Sequence, residues 1–206
     1  MSDTSAIAPV TAGKREATKA ANRAAILAAA RVVFADIGFG AASVRDIIRR
    51  TDLATGTFYN YFPDKESVLR EILDETTGEI RVRVRAARRG APTVEAFVAD
   101  GYRAYFEYLA SDRETLELMS RNAGTIRAMF DEPAVGAGVE ELRADLEQGV
   151  AAGLLAPHDS ELLAAAMVGA GVEVGVRLVA REPLDVDGSV ELLTRVFAPV
   201  LSGLAA

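Results

Sequence analysis

Among the 206 residues there is no cysteine and a single histidine, His158. Without cysteine there are no disulfides and no thiol chemistry, and such a chain suits a reducing, cytoplasmic compartment. One histidine, beside Pro157 in an expected surface turn, leaves no His/Cys cluster with metal-ligand spacing. No glycine-rich phosphate loop ending in Gly-Lys-Ser/Thr is present, and Gly136-Ala137-Gly138 reads as a flexible link. The expectation is therefore no metal, no cofactor, no catalytic residues and no enzyme. Met1–Val10 holds Asp3 and no apolar run, unlike a secretory signal. The longest apolar stretch, Leu162–Ala180, contains Glu173 and Arg177. A charge at the centre of a membrane span costs about 2.5–3.5 kcal/mol. That stretch reads as a helix buried in protein, its two charges paired at i, i+4 as an internal ion pair, with no membrane as partner.

Half of the chain is hydrophobic, enough for a sizeable core. The formal charge is −7, but residues 1–70 hold ten basic and seven acidic side chains, a net +3, which leaves −10 for the rest. A basic end on an acidic body is an electrostatic footprint for phosphate. All periodic segments read as helix. Residues 1–18 lack a period and read as a flexible N-terminal arm, whose Lys14, Arg15 and Lys19 suit a DNA minor groove or plain solvent equally. From Asn22, Ile26, Ala30, Val33, Phe34 and Ile37 follow the 3.6 period, and Gly38 stops the helix. Ser43 with Asp46 is a capping-box pattern ahead of Val44, Ile47 and Ile48. Thr51–Ala54 is a turn, and a short helix from Thr55 to about Phe62 follows. Asp64 caps a long helix to about Arg89, although Ile80–Arg85 alternates apolar and basic residues as a strand does. Further helices are expected near 93–110, 112–121, 123–130, 135–152, 159–181 and 188–204. The fold class is all-α, with about nine helices: an arm (1–18), a three-helix helix-turn-helix domain (19–66) and a larger helical ligand-binding and dimerisation domain (67–206).

Two short helices joined by a four-residue turn have helix-turn-helix geometry, whose second helix enters the major groove. Leu53, Phe58 and Phe62 face inward, which leaves Thr55, Thr57, Tyr59 and Asn60 largely outward, with Gly56 permitting close backbone approach. Such side chains bond phosphate oxygens, and Asn can pair with adenine.

The run AAILAAARVVFADIGFGAASVRDIIRRTDLATGTFYNYFPDKESVL resembles the DNA-binding region of the tetracycline-repressor (TetR) family. Gly-Phe after the first helix, then Ser-Val-Arg-Asp-Ile, then Gly-Thr-Phe-Tyr-Asn-Tyr-Phe-x-x-Lys-Glu stand in order. The resemblance implies base reading by Arg45 and Thr55, phosphate contacts from Ser43, Thr57, Tyr59, Tyr61 and Lys65, and either role for Asn60. It implies a homodimer on a palindromic double-stranded DNA operator, released by a small, largely apolar effector. Two positions depart from the pattern: Asp52 stands where the family usually has glycine, and Ala54 where it usually has a capping residue, the loss of which costs about 1 kcal/mol.

In the larger part, Phe97, Tyr102, Tyr105, Phe106, Met119, Asn122, Met129 and Phe130 are candidates for a ligand site, an apolar cavity with a few polar anchors. Ordinary core packing is the competing reading for each. Leu163, Met167, Ala170, Val174 and Leu178, with Leu193, Val196 and Val200 on the final helix, suggest a dimer interface built as a four-helix bundle. The rival functions are a helical small-molecule-binding protein or enzyme with a non-functional helix-turn-helix, and a partner-binding helical module.

Overall fold

The computed structural model describes residues 10–129, 133–178 and 180–203. Those residues form ten α-helices: α1 (Val10–Ile37), α2 (Val44–Ile48), α3 (Thr55–Phe58), α4 (Lys65–Arg89), α5 (Val94–Ser111), α6 (Arg113–Arg121), α7 (Ala123–Ala128), α8 (Pro133–Ala151), α9 (Ser160–Leu178) and α10 (Val186–Ser202). No strand occurs among the described residues. The alternating stretch Ile80–Arg85 is helical within α4, because its apolar residues find a helical neighbour in α5 and no partner strand.

The first helix is longer than its apolar period suggests. It begins at Val10 and so takes in residues 10–18, read from sequence as part of the arm. Ala, Lys, Arg and Glu in that segment are good helix formers, so propensity extends the helix where no core asks for it. Residues 1–9 of the expected arm lie outside the described residues. Ile26, Ala30, Val33 and Phe34 are buried as their spacing predicts, but Ile37 is exposed, since Gly38 at φ +80° turns the chain away there.

Among the described residues two hydrophobic clusters organise the fold. The first joins α1, α2, Phe58, Phe62 and the first half of α4 (Val68, Leu69, Ile72, Leu73), and it extends to Leu118 on α6 and Ile126 on α7. The second packs α5 against α8, α9 and α10 around Phe106, Leu146, Met167 and Leu201. Helix α4 runs unbroken from one to the other. Salt bridges from Arg23 to Glu71 and from Arg31 to Glu75 (2.9 Å) tie α1 along α4. The helix-turn-helix therefore rests on the larger part through α4 and α6, without a linker. No helix among the described residues is long and apolar enough to cross a membrane. Glu173 and Arg177 pair at 2.9 Å as expected. They do so at the surface, because a helix of small residues lying over one side of the core leaves its other side wet, and Arg127 joins them at 3.0 Å.

Candidate nucleic-acid interface and effector cavity

The capping box predicted at Ser43 is present. Asp46 N–H donates to the Ser43 hydroxyl oxygen at 3.3 Å, and Ser43 N–H donates to the Asp46 carboxylate at 2.9 Å. The Ser43 hydroxyl also donates to that carboxylate, and these bonds hold the Asp46 pKa below its ordinary value. Asp64 caps α4 in the same manner, accepting from Ser67 N–H at 2.7 Å. Both caps are local, which is why the sequence pattern alone finds them.

The turn between α2 and α3 is organised by a residue that sequence reasoning passed over. The Thr51 hydroxyl donates to the Ile48 carbonyl at 2.9 Å and accepts from Leu53 N–H at 3.2 Å. It closes the end of α2 and the start of the turn together. Among the described residues only glycines have positive φ, so Asp52 sits there without backbone strain. Ala54, as its side chain dictates, provides no cap. The α-helical bonding of α3 is short, and the expected helix to Phe62 is completed by tighter bonds: Asn60 N–H to the Thr57 carbonyl and Tyr61 N–H to the Phe58 carbonyl. An uncapped first turn containing glycine gives little reason for a longer α-helix.

Packing sorts the side chains of this segment cleanly. Phe58 is fully buried and Phe62 nearly so, while Tyr59, between them in sequence, is 59 % exposed. Arg45, Thr55, Gly56 and Asn60 are exposed, and Thr57 is half-buried. Tyr61 is half-buried; its hydroxyl accepts from the Asn22 amide at 3.1 Å, which leaves its own proton to donate. Lys65 behaves differently from a free surface cation. Its ammonium donates to the Phe39 and Ala42 carbonyls at 2.8 and 2.9 Å and lies 4.4 Å from the centroid of the Phe39 ring. One of its three N–H groups remains for an anion. Lys14, Arg15 and Lys19, on the first turns of α1, line an open groove together with Asn60 and Tyr61. Three cations and one carboxylate, Glu16, of α1 thus share a groove with Asn60 and Tyr61 of the segment after α3.

A Cβ added at Gly56 meets no protein atom within 4 Å. The fold does not require glycine there. Gly56→Ala is expected to leave the melting temperature unchanged or slightly raised, since alanine is the better helix former by up to about 1 kcal/mol. Should α3 approach a duplex closely at Gly56, the same variant is expected to bind duplex DNA more weakly at an unchanged melting temperature, measured by anisotropy.

In the larger part, a cavity of about 150 Å³ opens between α4, α5, α8 and α9. Of the eight ligand candidates, Phe97, Tyr102, Tyr105 and Met119 line it. Phe106 is fully buried in the second cluster, and Met129 packs on the first. Phe130 lies outside the described residues. The Tyr102 hydroxyl donates to the Met167 carbonyl at 2.9 Å, whereas nothing among the described residues hydrogen-bonds the Tyr105 hydroxyl, whose pKa burial pushes up. Lining residues that sequence reasoning missed include Arg81, Arg88, Gly101 and Gly171. A Cβ on Gly171 would lie 3.2 Å from the Tyr102 ring, so glycine there makes room for the tyrosine.

Asn122, at the junction of α6 and α7, does not line the cavity; its amide is fully committed. Its Oδ1 accepts from Phe39 N–H at 2.6 Å, and its Nδ2 donates to the Phe34 and Leu118 carbonyls at 3.0 and 2.7 Å. The side chain fastens the end of α1 to α6 between two cavity-lining residues, Met119 and Ile126.

The dimer candidates divide by exposure. Met167, Leu178 and Leu193 are buried within the protomer, and Leu163, Ala170 and Val174 are half-buried against its core. Val196 and Val200 are exposed, one turn apart, in line with exposed Leu192, and Leu162 on α9 is exposed as well. His158, expected at the surface, is half-buried: its Nδ1 lies 2.7 Å from the Ala156 carbonyl oxygen, which folds the ring back on its own turn. No group of three or more His, Cys, Asp or Glu among the described residues is arranged to hold a metal.

Residues 26–72 match the family model for bacterial regulatory proteins, tetR family. Over 90 residues the chain is 34 % identical to the HTH-type transcriptional repressor KstR2 of Rhodococcus jostii, a match covering 42 % of this chain and 44 % of that protein. An uncharacterised HTH-type transcriptional regulator of Haemophilus influenzae is 27 % identical over 123 residues, 59 % of this chain and 58 % of the relative. The chain therefore spans about half the length of the curated relatives it matches. The fold is shared with the fatty acid degradation regulator FadR of Bacillus halodurans, at TM-score 0.74 and 24 % identity over 89 % of this chain and 96 % of that one. FadR of Bacillus subtilis, solved in complex with stearoyl-CoA, has TM-score 0.74 and 21 % identity over 86 % and 98 % of the two chains.

Proposed function

We propose, from the premise that residues 26–72 are a TetR-family DNA-binding domain on a fold shared with regulators of that family, that this chain is a sequence-specific transcriptional repressor. One observation carries the reading. Arg45, Thr55, Gly56, Tyr59 and Asn60 stay exposed around a packed helix-turn-helix core, and Asn60 lines the groove shared with Lys14, Arg15 and Lys19. Arg45 and Thr55 read base edges, and Thr57, Tyr59, Tyr61 and the basic residues of α1 hold phosphates. The repressor acts as a homodimer through exposed Leu162, Leu192, Val196 and Val200, which sets two recognition segments about one helical turn of DNA apart. A small effector in the cavity between α4, α5, α8 and α9 releases the operator. The stearoyl-CoA bound by the Bacillus subtilis protein supports effector binding in this fold.

Duplex titration across a salt series tests the reading. Affinity is expected to fall steeply with salt, and each phosphate contact removed lowers the slope of log K against log salt by about 1. Tyr59→Ala is expected to weaken all duplexes alike. Arg45→Ala is expected to cost about 1–3 kcal/mol on the operator and to relax preference among sequences. Negligible binding at low salt, or normal operator binding by both variants, overturns it.

A further inference from the structure

Two arginines, Arg81 and Arg88, line the effector cavity. Behind that lining, Arg81, Arg85 and Arg88 follow one another along the end of α4 and meet two carboxylates of α8, Glu141 and Asp145. Glu141 is taken by Arg81 at 2.7 Å and by Arg85. Arg88 is left with Asp145 at 3.4 Å, beyond the range of a good N–H···O bond, and Asp145 is itself half-buried. Arg88 is nonetheless the most enclosed of the three, with its side chain 13 % exposed. Its stem lies where Gly101 leaves room, since a Cβ there would stand 3.3 Å from the Arg88 Cγ. Its guanidinium stands 5.7 Å from the centroid of the Phe97 ring. Desolvation pushes its pKa down, against the opposing pull of Asp145 and Glu141. A guanidinium has five N–H donors, and a buried one with a single long contact is under-satisfied. The remaining wall is mostly apolar, with Ile80, Val84, Phe97, Leu142 and Met167, and Thr77, Tyr102 and Tyr105 bring hydroxyls to it.

We propose that the cavity takes a monoanionic amphiphile, a carboxylate on a compact apolar body. The carboxylate pairs with Arg88, and the body fills the space towards Tyr105 and Met119. The fork of a guanidinium matches a carboxylate in two parallel bonds, which Asp145 does not supply from its position. A cavity of about 150 Å³ is of the size that admits a benzene-sized molecule, so the body is short or the walls give way to a longer one. This inference rests on the reading of the cavity as the effector site, but it is tested without DNA, so its failure leaves the operator-binding reading standing.

The experiment is calorimetric titration of the full chain with octanoate, 1-octanol and octanoyl-CoA. Octanoate is expected to bind at least tenfold tighter than 1-octanol. Arg88→Met is expected to bring the two affinities together by weakening octanoate alone. Arg88→Lys, which keeps the charge in case the methionine variant folds poorly, is expected to retain part of the preference. Arg85→Met, a neighbour outside the cavity lining, is expected to leave it unchanged. Equal binding of octanoate and octanol by the parent protein overturns the proposal, as does a preference that survives in Arg88→Met. The octanoyl-CoA arm separates a free carboxylate from an anion carried on a bulky carrier: binding of the thioester alone, indifferent to Arg88, overturns it too.

Discussion

Asn122→Ala is expected to lower the stability of the whole chain by about 3 kcal/mol. The side chain is 4 % exposed and makes three hydrogen bonds, two of them to residues at the end of α1. Only an oxygen can accept from Phe39 N–H and only an amide nitrogen can donate to the two carbonyls, so the orientation of the amide is set by its partners. Removing it leaves the Phe39 N–H without that acceptor, at about 1–3 kcal/mol, and the lost bonds to the Phe34 and Leu118 carbonyls add about 0.5 kcal/mol each. For a chain of this length that is a drop in melting temperature of about 6–12 °C. Hydrogen exchange provides a local reading: the Phe39 amide is expected to lose its protection first. Asn122→Asp is expected to be no better, since it keeps the acceptor but places a charge in the core and loses both donors. An unchanged melting temperature for Asn122→Ala contradicts this assignment.

Phe58→Ala is expected to cost about 4 kcal/mol, within the range for truncating a fully buried phenylalanine. Phe58 packs edge-on to Tyr59 at 5.4 Å between centroids and stands 6.0 Å from Phe62. Both α2 and α3 lose their common support, and DNA binding is expected to vanish together with a fall in melting temperature of about 8–16 °C. The adjacent Tyr59→Ala variant is the informative contrast. Its ring is mostly in solvent, so its melting temperature is expected to stay within about 1 °C of the parent while DNA affinity falls. If both variants melted alike, the division of this segment into an inner and an outer face would be wrong.

The contrast between these residues also marks what was legible beforehand. Phe58 and Phe62 inside, Tyr59 outside, and the caps at Ser43 and Asp64 all follow from spacing within a few residues, and the structure has them so. The roles of Asn122 and Lys65 do not. Each is a polar side chain whose partners stand 83 and 26 residues away in the chain, and no local pattern announces such a bond. The cavity was legible only in part. The aromatic residues of α5 stand out by composition, but Arg88 belongs to the wall only because Gly101 on another helix gives it room. Faces of α9 and α10 were the hardest to separate. Helix α9, apolar on most sides, carries no stripe to say which side meets the core, and α10 has such a stripe yet leaves Leu192, Val196 and Val200 outside it. Thus Leu162 and Leu192 are exposed while their sequence neighbours Leu163 and Leu193 turn inward.

Helix α4 has 25 residues, and at 1.5 Å per residue it is a rod of about 37 Å. Arg88 stands near one tip, in the cavity wall, and Lys65 at the other, pinned to the carbonyls that precede α2. Pivoted at its midpoint through about 5°, such a rod carries Lys65 through about 1.5 Å. With no break between the two tips, an ångström-scale push on the cavity end of the rod is delivered undiminished to the end that carries the helix-turn-helix.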